Sequence, residues 1–270
     1  MSNLINIIIF IILGIIQGLT EPLPISSSGH LLLFKEIFNT TIFNNLDLLI
    51  VLNFASFLAI FIIYFKDIKL LIISYLKYLF SKKDNQKYQQ DYNYCNLLLI
   101  SSIPTFIFGI IIKLCFEKVF NNILFLIITF LITAIILAVS SFKKGYKNNN
   151  SISIIDAIVI GLFQGIAVIP GISRSGMVLA GCLLCNIKKE QAIKYTFLLY
   201  FPVSIASLIF DLFTLKIKAN LLPISLSFII CMITTYLSYK WLIQIVKSNK
   251  LWYFSLYCIL LTLFIIFYFH

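Results

Sequence analysis

The sequence predicts an all-α, polytopic membrane protein: an inverted-topology repeat with six spanning helices and two re-entrant helix–loop–helix hairpins. Three observations lead there. First, 61% of the 270 residues are hydrophobic and only 11% are charged, with a mean hydropathy of +1.02. A soluble domain carries about 45–50% apolar and about 25% charged residues. This chain has too little polar surface to coat a water-soluble globule, so a soluble enzyme is excluded. Second, apolar stretches near 20 residues recur along it, the length that crosses a bilayer as a helix. They are continuous where the strands of a membrane barrel would alternate, which excludes a barrel. Third, two other apolar regions are broken midway by Pro, Gly and Ser, and they are copies of each other.

Taken in order, residues 4–19 run into TEPLPISSSGH (20–30) and then a short apolar segment to about 38. Spans follow at about 47–65, 95–114 and 122–141. Residues 152–169 then run into PGISRSG (170–176) and a short apolar segment to about 187. Three more spans follow at about 195–213, 221–239 and 251–269. A break at membrane depth frees backbone groups that hydrocarbon cannot satisfy, so it must be buried in protein or line a wet cavity. Each interrupted region therefore reads as a re-entrant hairpin. The N-terminus carries no basic segment or small-residue cleavage site, so no removed signal peptide is expected. The chain reads as a single integral membrane domain over 1–270.

The copies align closely. Gly14-x-x-Gln17-Gly18 matches Gly161-x-x-Gln164-Gly165, and Ile25 to Gly29 lies over Ile172 to Gly176 at an offset of 147. Repeat one thus covers about 1–145 and repeat two about 150–270. One hairpin plus three spans per half inverts the second copy, an arrangement that brings special loops together near the midplane. The lysines test the topology. With both hairpins re-entrant, loops 65–94, 142–151, 186–194 and 240–250 share one side and hold 15 Lys. The other side holds five: Lys35, Lys113, Lys118, Lys216 and Lys218. If each hairpin crossed once, the split would be 11 to 9. The positive-inside rule favours six spans, with both termini and the first hairpin on the outer side and the second hairpin entering from the cytoplasm.

The net charge of +11 is then explained by cytoplasmic lysines touching anionic headgroups, and nucleic-acid binding is set aside. Cys182 and Cys185 form a CxxC, but no second pair or His cluster accompanies it. The six cysteines read as small apolar helix residues.

Arg174 is the only arginine, set in the Ser-flanked second break. Its planar fork suits phosphate oxygens, and an intramembrane charge is by default a functional hypothesis. Glu21 is the matching anion in the first break, within ten residues of Ser26, Ser27, Ser28 and His30. A helix N-terminus rich in hydroxyls and free N–H groups suits a phosphate. In the alignment Glu21 lies over Val168, His30 over Met177 and Ser27 over Arg174. One copy kept acid, base and hydroxyl, and the other kept the cation. Gln17 stands one turn before Glu21 on the same helix face; substrate, a hydrated cation or backbone carbonyls all suit it. Asp156 and Glu190 read as interfacial, and Asn53 as a bond to another helix.

At these residues the sequence resembles a known family. QGLTEPLPISSSGH is similar to the first signature of the undecaprenyl-diphosphate phosphatases of the bacitracin-resistance type, and GLFQGIAVIPGISRSG to the second. Residues 46–68 and 188–207 resemble the family as well, so the likeness covers nearly the whole chain. It implies hydrolysis of the C55 lipid diphosphate to the monophosphate carrier of peptidoglycan synthesis, and with it bacitracin resistance. It also implies a divalent cation (Mg2+ or Ca2+), with Glu21 as a ligand. The site would open to the outer face of the bacterial cytoplasmic membrane; assembly as a homodimer is left open. Carried over, the (E/Q)xxxE element is Gln17 to Glu21, the signature serine and histidine are Ser27 and His30, and the phosphate loop is Gly171 to Gly176 with Ser173, Arg174 and Ser175. Ser26 and Ser28 join them as substrate-binding residues. The sequence departs from the family pattern at Pro22, where an aromatic is usual, and at Val178, where a Thr is usual.

On this reading Arg174, the loop amides and the cation neutralise charge on the transferred phosphoryl group. Ser27 or an activated water attacks, Glu21 serves as base or cation ligand, and His30 as acid, base or nucleophile. The sequence does not order these roles. The rival class is a flippase for a polyprenyl phosphate, since inverted repeats with broken helices are a transporter architecture. A transporter needs no general acid or base, so Glu21, His30 and Arg174 together favour the enzyme.

Overall fold

The computed structural model describes residues 3–38, 46–80, 85–115, 123–213 and 221–269. Lys82, Lys83, Lys118, Lys216 and Lys218, which enter the lysine count above, lie outside them, as does His270. The described residues form ten α-helices: α1 (Asn3–Thr20), α2 (Ser27–Phe38), α3 (Leu46–Phe80), α4 (Asn85–Cys115), α5 (Ile123–Ser141), α6 (Ile154–Ile166), α7 (Arg174–Leu184), α8 (Lys189–Leu212), α9 (Leu221–Lys247) and α10 (Trp252–Phe269). Among them the only β pairing is an isolated bridge between Lys147 and Ile187.

Six helices, α3, α4, α5, α8, α9 and α10, are long and apolar enough to cross a membrane. The helices of the second broken region are not. The 13 residues of α6 reach only about 20 Å at 1.5 Å per residue, short of the roughly 30 Å hydrocarbon core. The six spans carry large apolar side chains on their outer faces, such as Ile62, Ile110, Ile135 and Leu260. This is an all-α polytopic membrane protein.

Several helices outrun the spans expected from hydropathy. The first span, expected to end at 65, continues as helix to Phe80, and the second begins at Asn85 instead of 95. Hydropathy marks where a helix meets hydrocarbon, not where it stops. The extra turns of α3 and α4 pack on each other through Tyr92, whose ring lies 5.0 Å from that of Tyr75 and 4.0 Å from that of Tyr78. Likewise α8 begins at Lys189 and α9 runs to Lys247.

The packing crosses between the halves. α1 packs most extensively on α9, α6 on α4, and α5 on α10. The first helix of each half thus lies on the fourth helix of the other, and last meets last. The aligned glycines explain the closest of these approaches. A Cβ on Gly14 would stand 2.6 Å from the Ser227 carbonyl oxygen in α9, and one on Gly161 2.5 Å from the Ser101 carbonyl oxygen in α4. Small residues let backbones meet where lipid offers no hydrophobic drive between helices. Buried hydroxyls add bonds on the same interfaces: Ser238 donates to the Leu19 carbonyl at 2.6 Å, and Ser101 to that of Ala157 at 2.7 Å.

At the lysine-rich end, ion pairs join neighbouring elements. Lys147 binds Asp156 at 2.8 Å, Lys194 binds Asp67 at 2.5 Å, and Lys247 binds Glu190 at 3.1 Å. Cys182 is buried and Cys185 half-buried, both unbridged, around the C-terminal end of α7. Cys182 is a buried helix residue, as read from the sequence, whereas Cys185 stands just past the helix as its C-cap.

Candidate active site

The first break follows from its prolines. Pro22 and Pro24 lack an N–H and disfavour helical backbone in the residue before them, so α1 stops at Thr20 and Glu21 is left at its end. The chain turns through Ser26, which takes a left-handed φ of 69°. Its hydroxyl then accepts from the Gly29 N–H at 3.2 Å and caps α2. The second break repeats this device 147 residues on: the Ser173 hydroxyl accepts from the Gly176 N–H at 3.1 Å and caps α7. The loop before it turns at Gly171 with φ 89°, where a Cβ would stand 2.1 Å from Thr129 Oγ1.

The two breaks meet. Gly171 N–H donates to Ser28 Oγ at 3.3 Å, and Ser175 Oγ donates to the Leu23 carbonyl at 3.0 Å. Between them the Glu21 carboxylate is buried and bonded through both oxygens. Arg174 Nη2 donates to Oε1 at 2.7 Å, and Ser27 Oγ donates to Oε2 at 2.6 Å. Gln17 Nε2 donates to Oε2 at 3.1 Å and to Asn53 Oδ1 at 2.9 Å. The guanidinium is fixed from its other side as well. It lies 4.5 Å from the centre of the Tyr200 ring and donates through Nη1 to Ser204 Oγ at 3.3 Å, a stacked, forked seat that suits Arg and not Lys. A cavity of about 290 Å³ opens over these groups, lined by Glu21, Ser26, Ser27, Ser28, Ser173, Arg174 and Ser175. The N-termini of α2 and α7 border it. Charge, hydroxyls and helix ends here suit an anion.

The comparisons with known proteins agree with this chemistry. Residues 10–264 match the family described as Bacitracin resistance protein BacA. The chain belongs to the BacA family. It is 37% identical over 264 residues to Undecaprenyl-diphosphatase 2 of Bacillus thuringiensis (strain Al Hakam), covering 96% of this chain and 97% of that one. It is 42% identical over 253 residues to Undecaprenyl-diphosphatase of Thermosipho africanus (strain TCF52B), covering 94% and 96%. With that of Oceanobacillus iheyensis it shares 34% over 265 residues, covering 96% and 95%.

Within this BacA-family chain, the structure gathers Gln17, Glu21, Ser26, Ser27, Ser28, Gly171, Ser173, Arg174, Ser175 and Gly176 at the facing breaks. Their functions divide. Ser26 and Ser173 cap helices, Ser173 through the Gly176 N–H, and Ser28 and Ser175 tie the breaks together. His30 stands apart from the cavity lining. Its Nδ1 bonds the Ser26 carbonyl at 2.7 Å, so Nδ1 carries the proton and Nε2 accepts from the Tyr257 hydroxyl at 2.7 Å. The ring stacks on Tyr257 with centroids 5.7 Å apart and meets the Phe130 ring edge-on at 5.6 Å. This geometry positions the Ser26 turn. Val178, where the family pattern has Thr, is buried and faces Arg174 and Tyr200 across a small void.

Four contributors escaped the sequence reading as site residues: Asn53, Tyr200, Ser204 and Tyr257. Tyr200 and Ser204 are spaced i, i+4 on α8, which puts them on one face. For that pair the spacing was the one available signal, whereas Asn53, read as a bond to another helix, makes that bond to Gln17 of α1.

Proposed function

We propose that this chain hydrolyses undecaprenyl diphosphate to undecaprenyl phosphate and inorganic phosphate, recycling the lipid carrier of cell-wall synthesis. The observation that carries this is the Glu21 carboxylate, bound on one oxygen to the Ser27 hydroxyl and on the other to Arg174. A hydroxyl held by a carboxylate is an activated nucleophile, and a guanidinium beside it stabilises charge on the transferred phosphoryl group. Ser27 Oγ attacks the terminal phosphorus and gives its proton to Glu21. The Oγ–P bond forms, the bridging P–O bond breaks, and undecaprenyl phosphate leaves. Water then attacks the phosphoserine, Ser27 Oγ regains the proton from Glu21, and inorganic phosphate is released. The prenyl chain stays among the apolar spans, so only the headgroup enters the polar cavity.

The divalent cation implied by the family fits in one way. The described residues bring together no group of three His, Cys, Asp or Glu, so they build no cage of their own. Beside Glu21, however, the buried Gln17 Oε1 has no hydrogen-bond partner. Glu21 and Gln17 Oε1 suit a hard cation that takes its other oxygens from the diphosphate and water. When bound, such an ion adds positive charge to the phosphates.

The lysine distribution supports an orientation in the bacterial cytoplasmic membrane with the first hairpin entering from outside. The site then takes substrate from the outer face. The test is phosphate release from C55 or C15 diphosphate by purified protein. Turnover in the wild type and none in Ser27→Ala is the expected result; release by Ser27→Ala at the wild-type rate would overturn the nucleophile.

A further inference from the structure

We propose that Gln164 is a diphosphate-binding residue of this site, its amide N–H donating to a non-bridging oxygen of the lipid diphosphate. Gln164 lies on α6 and is 1% exposed. It lines the cavity above Ser27 and Arg174, and also the small void behind the guanidinium. Among the described residues neither its Nε2 nor its Oε1 has a hydrogen-bond partner. Thr105 Oγ1, on the same cavity wall, is likewise buried and without one.

The repeat explains how this came about. Gln164 aligns with Gln17, whose Nε2 is held by Glu21 one turn on and by Asn53. In the second half the residue one turn on is Val168, which accepts nothing. The second glutamine therefore keeps the place of the first without its acceptor, buried at the edge of the space between the breaks. Burying an unpaired amide is unfavourable, and an apolar side chain of the same shape would serve packing better. The partner that suits it is one that arrives with the substrate. An amide offers a donor to anionic oxygen without adding a second cation next to Arg174, and the Thr105 hydroxyl extends the same wall.

This assignment rests on the hydrolase reading, so the experiment separates the two. Wild type and Gln164→Leu, both full length and in detergent, are compared for farnesyl diphosphate turnover, for calorimetric binding of inorganic diphosphate, and for Tm without ligand. The expected result is a KM about tenfold higher or more and inorganic diphosphate bound about tenfold more weakly. The change in kcat should stay within about threefold, and the ligand-free Tm should be unchanged or raised. A merely structural glutamine gives the opposite pattern, a lower Tm with unchanged KM and binding, and that overturns the proposal. Loss confined to kcat overturns it as well. If the wild type binds inorganic diphosphate but hydrolyses no prenyl diphosphate, the hydrolase reading fails while the binding comparison still decides Gln164. Should Gln164→Leu not fold, Gln164→Met carries the same readouts.

Discussion

Ser27 and Arg174 hold the same position in the two halves, each the first residue of its helix, and each binds one oxygen of the Glu21 carboxylate, at 2.6 and 2.7 Å. A single acid thus joins a hydroxyl from one repeat to a cation from the other. The pairing with Arg174 sets the carboxylate beside the hydroxyl and also aims the guanidinium.

Arg174→Lys should lose about tenfold or more in kcat/KM, which is roughly 1.4 kcal/mol or more. Lysine keeps the charge but cannot reach Glu21 and Ser204 together while stacking on Tyr200. Steady-state rates on purified protein check this; near-wild-type turnover would show that a point charge suffices.

Glu21→Gln should slow turnover by about a hundredfold or more, because the amide cannot take the Ser27 proton. Rapid quenching of the wild type with prenyl diphosphate labelled in its terminal phosphate should trap label on Ser27, and Glu21→Gln should accumulate it more slowly.

His30→Asn should cost only about tenfold and leave the shape of the pH–rate profile unchanged. Asparagine retains a donor for the Ser26 carbonyl, and neither ring nitrogen is free to exchange a proton with substrate. Loss of one limb of the profile, with a drop of about a hundredfold or more, would assign His30 to acid–base work instead.

Much of this site was legible because charge is so scarce in the chain. Glu21 and Arg174 stand out as the acid and the cation of two Pro- and Ser-rich breaks, and the repeat offset pairs those breaks before any fold is known. What surrounds them was not legible. Tyr200 and Ser204 sit in a span where aromatic and small polar residues look like ordinary membrane packing, and Tyr257 reaches His30 across 227 residues of sequence. His30 lies three residues from Ser27 in sequence, yet its ring packs on Tyr257 of α10, a contact that nothing in the sequence signals. Helix ends beyond the hydrocarbon were missed because a solvated helix carries no hydropathy signal.

Stability should depend on the Lys147–Asp156 pair with a defined sign. Burial acts to raise the Asp156 carboxyl, but bonds from Lys147 and from the Ser153 N–H and O–H outweigh it and hold the carboxyl below its ordinary 3.8. The hydrogen bond to Asp156 in turn raises Lys147 above 10.5. The carboxylate's contribution is therefore fully present above pH 3.8 and lost as pH falls through the lowered value. The lysine's is lost only as pH rises through the raised one. Asp156→Asn should melt below the wild type at pH 7, and the gap should narrow only in strong acid. Melting curves in detergent across pH check it.

Topology is open to a direct test. A cysteine at exposed Lys77, in the part of α3 beyond the expected span, should resist an impermeant reagent in intact cells and label after permeabilisation. Labelling in intact cells would reverse the orientation drawn from the lysines.

The contacts that join the two breaks also constrain how the molecule moves. Gly171 on Ser28, Ser175 on Leu23 and Arg174 on Glu21 all cross from one half to the other at the headgroup's seat. Inverted-repeat carriers work by swinging one half against the other around such a seat. Here that swing would pull all three contacts apart and separate Glu21 from Arg174. On the proposed mechanism, cleaving and carrying are thus opposed states of one latch: a diphosphate gripped for attack keeps the halves shut, and halves free to swing hold no assembled reaction centre.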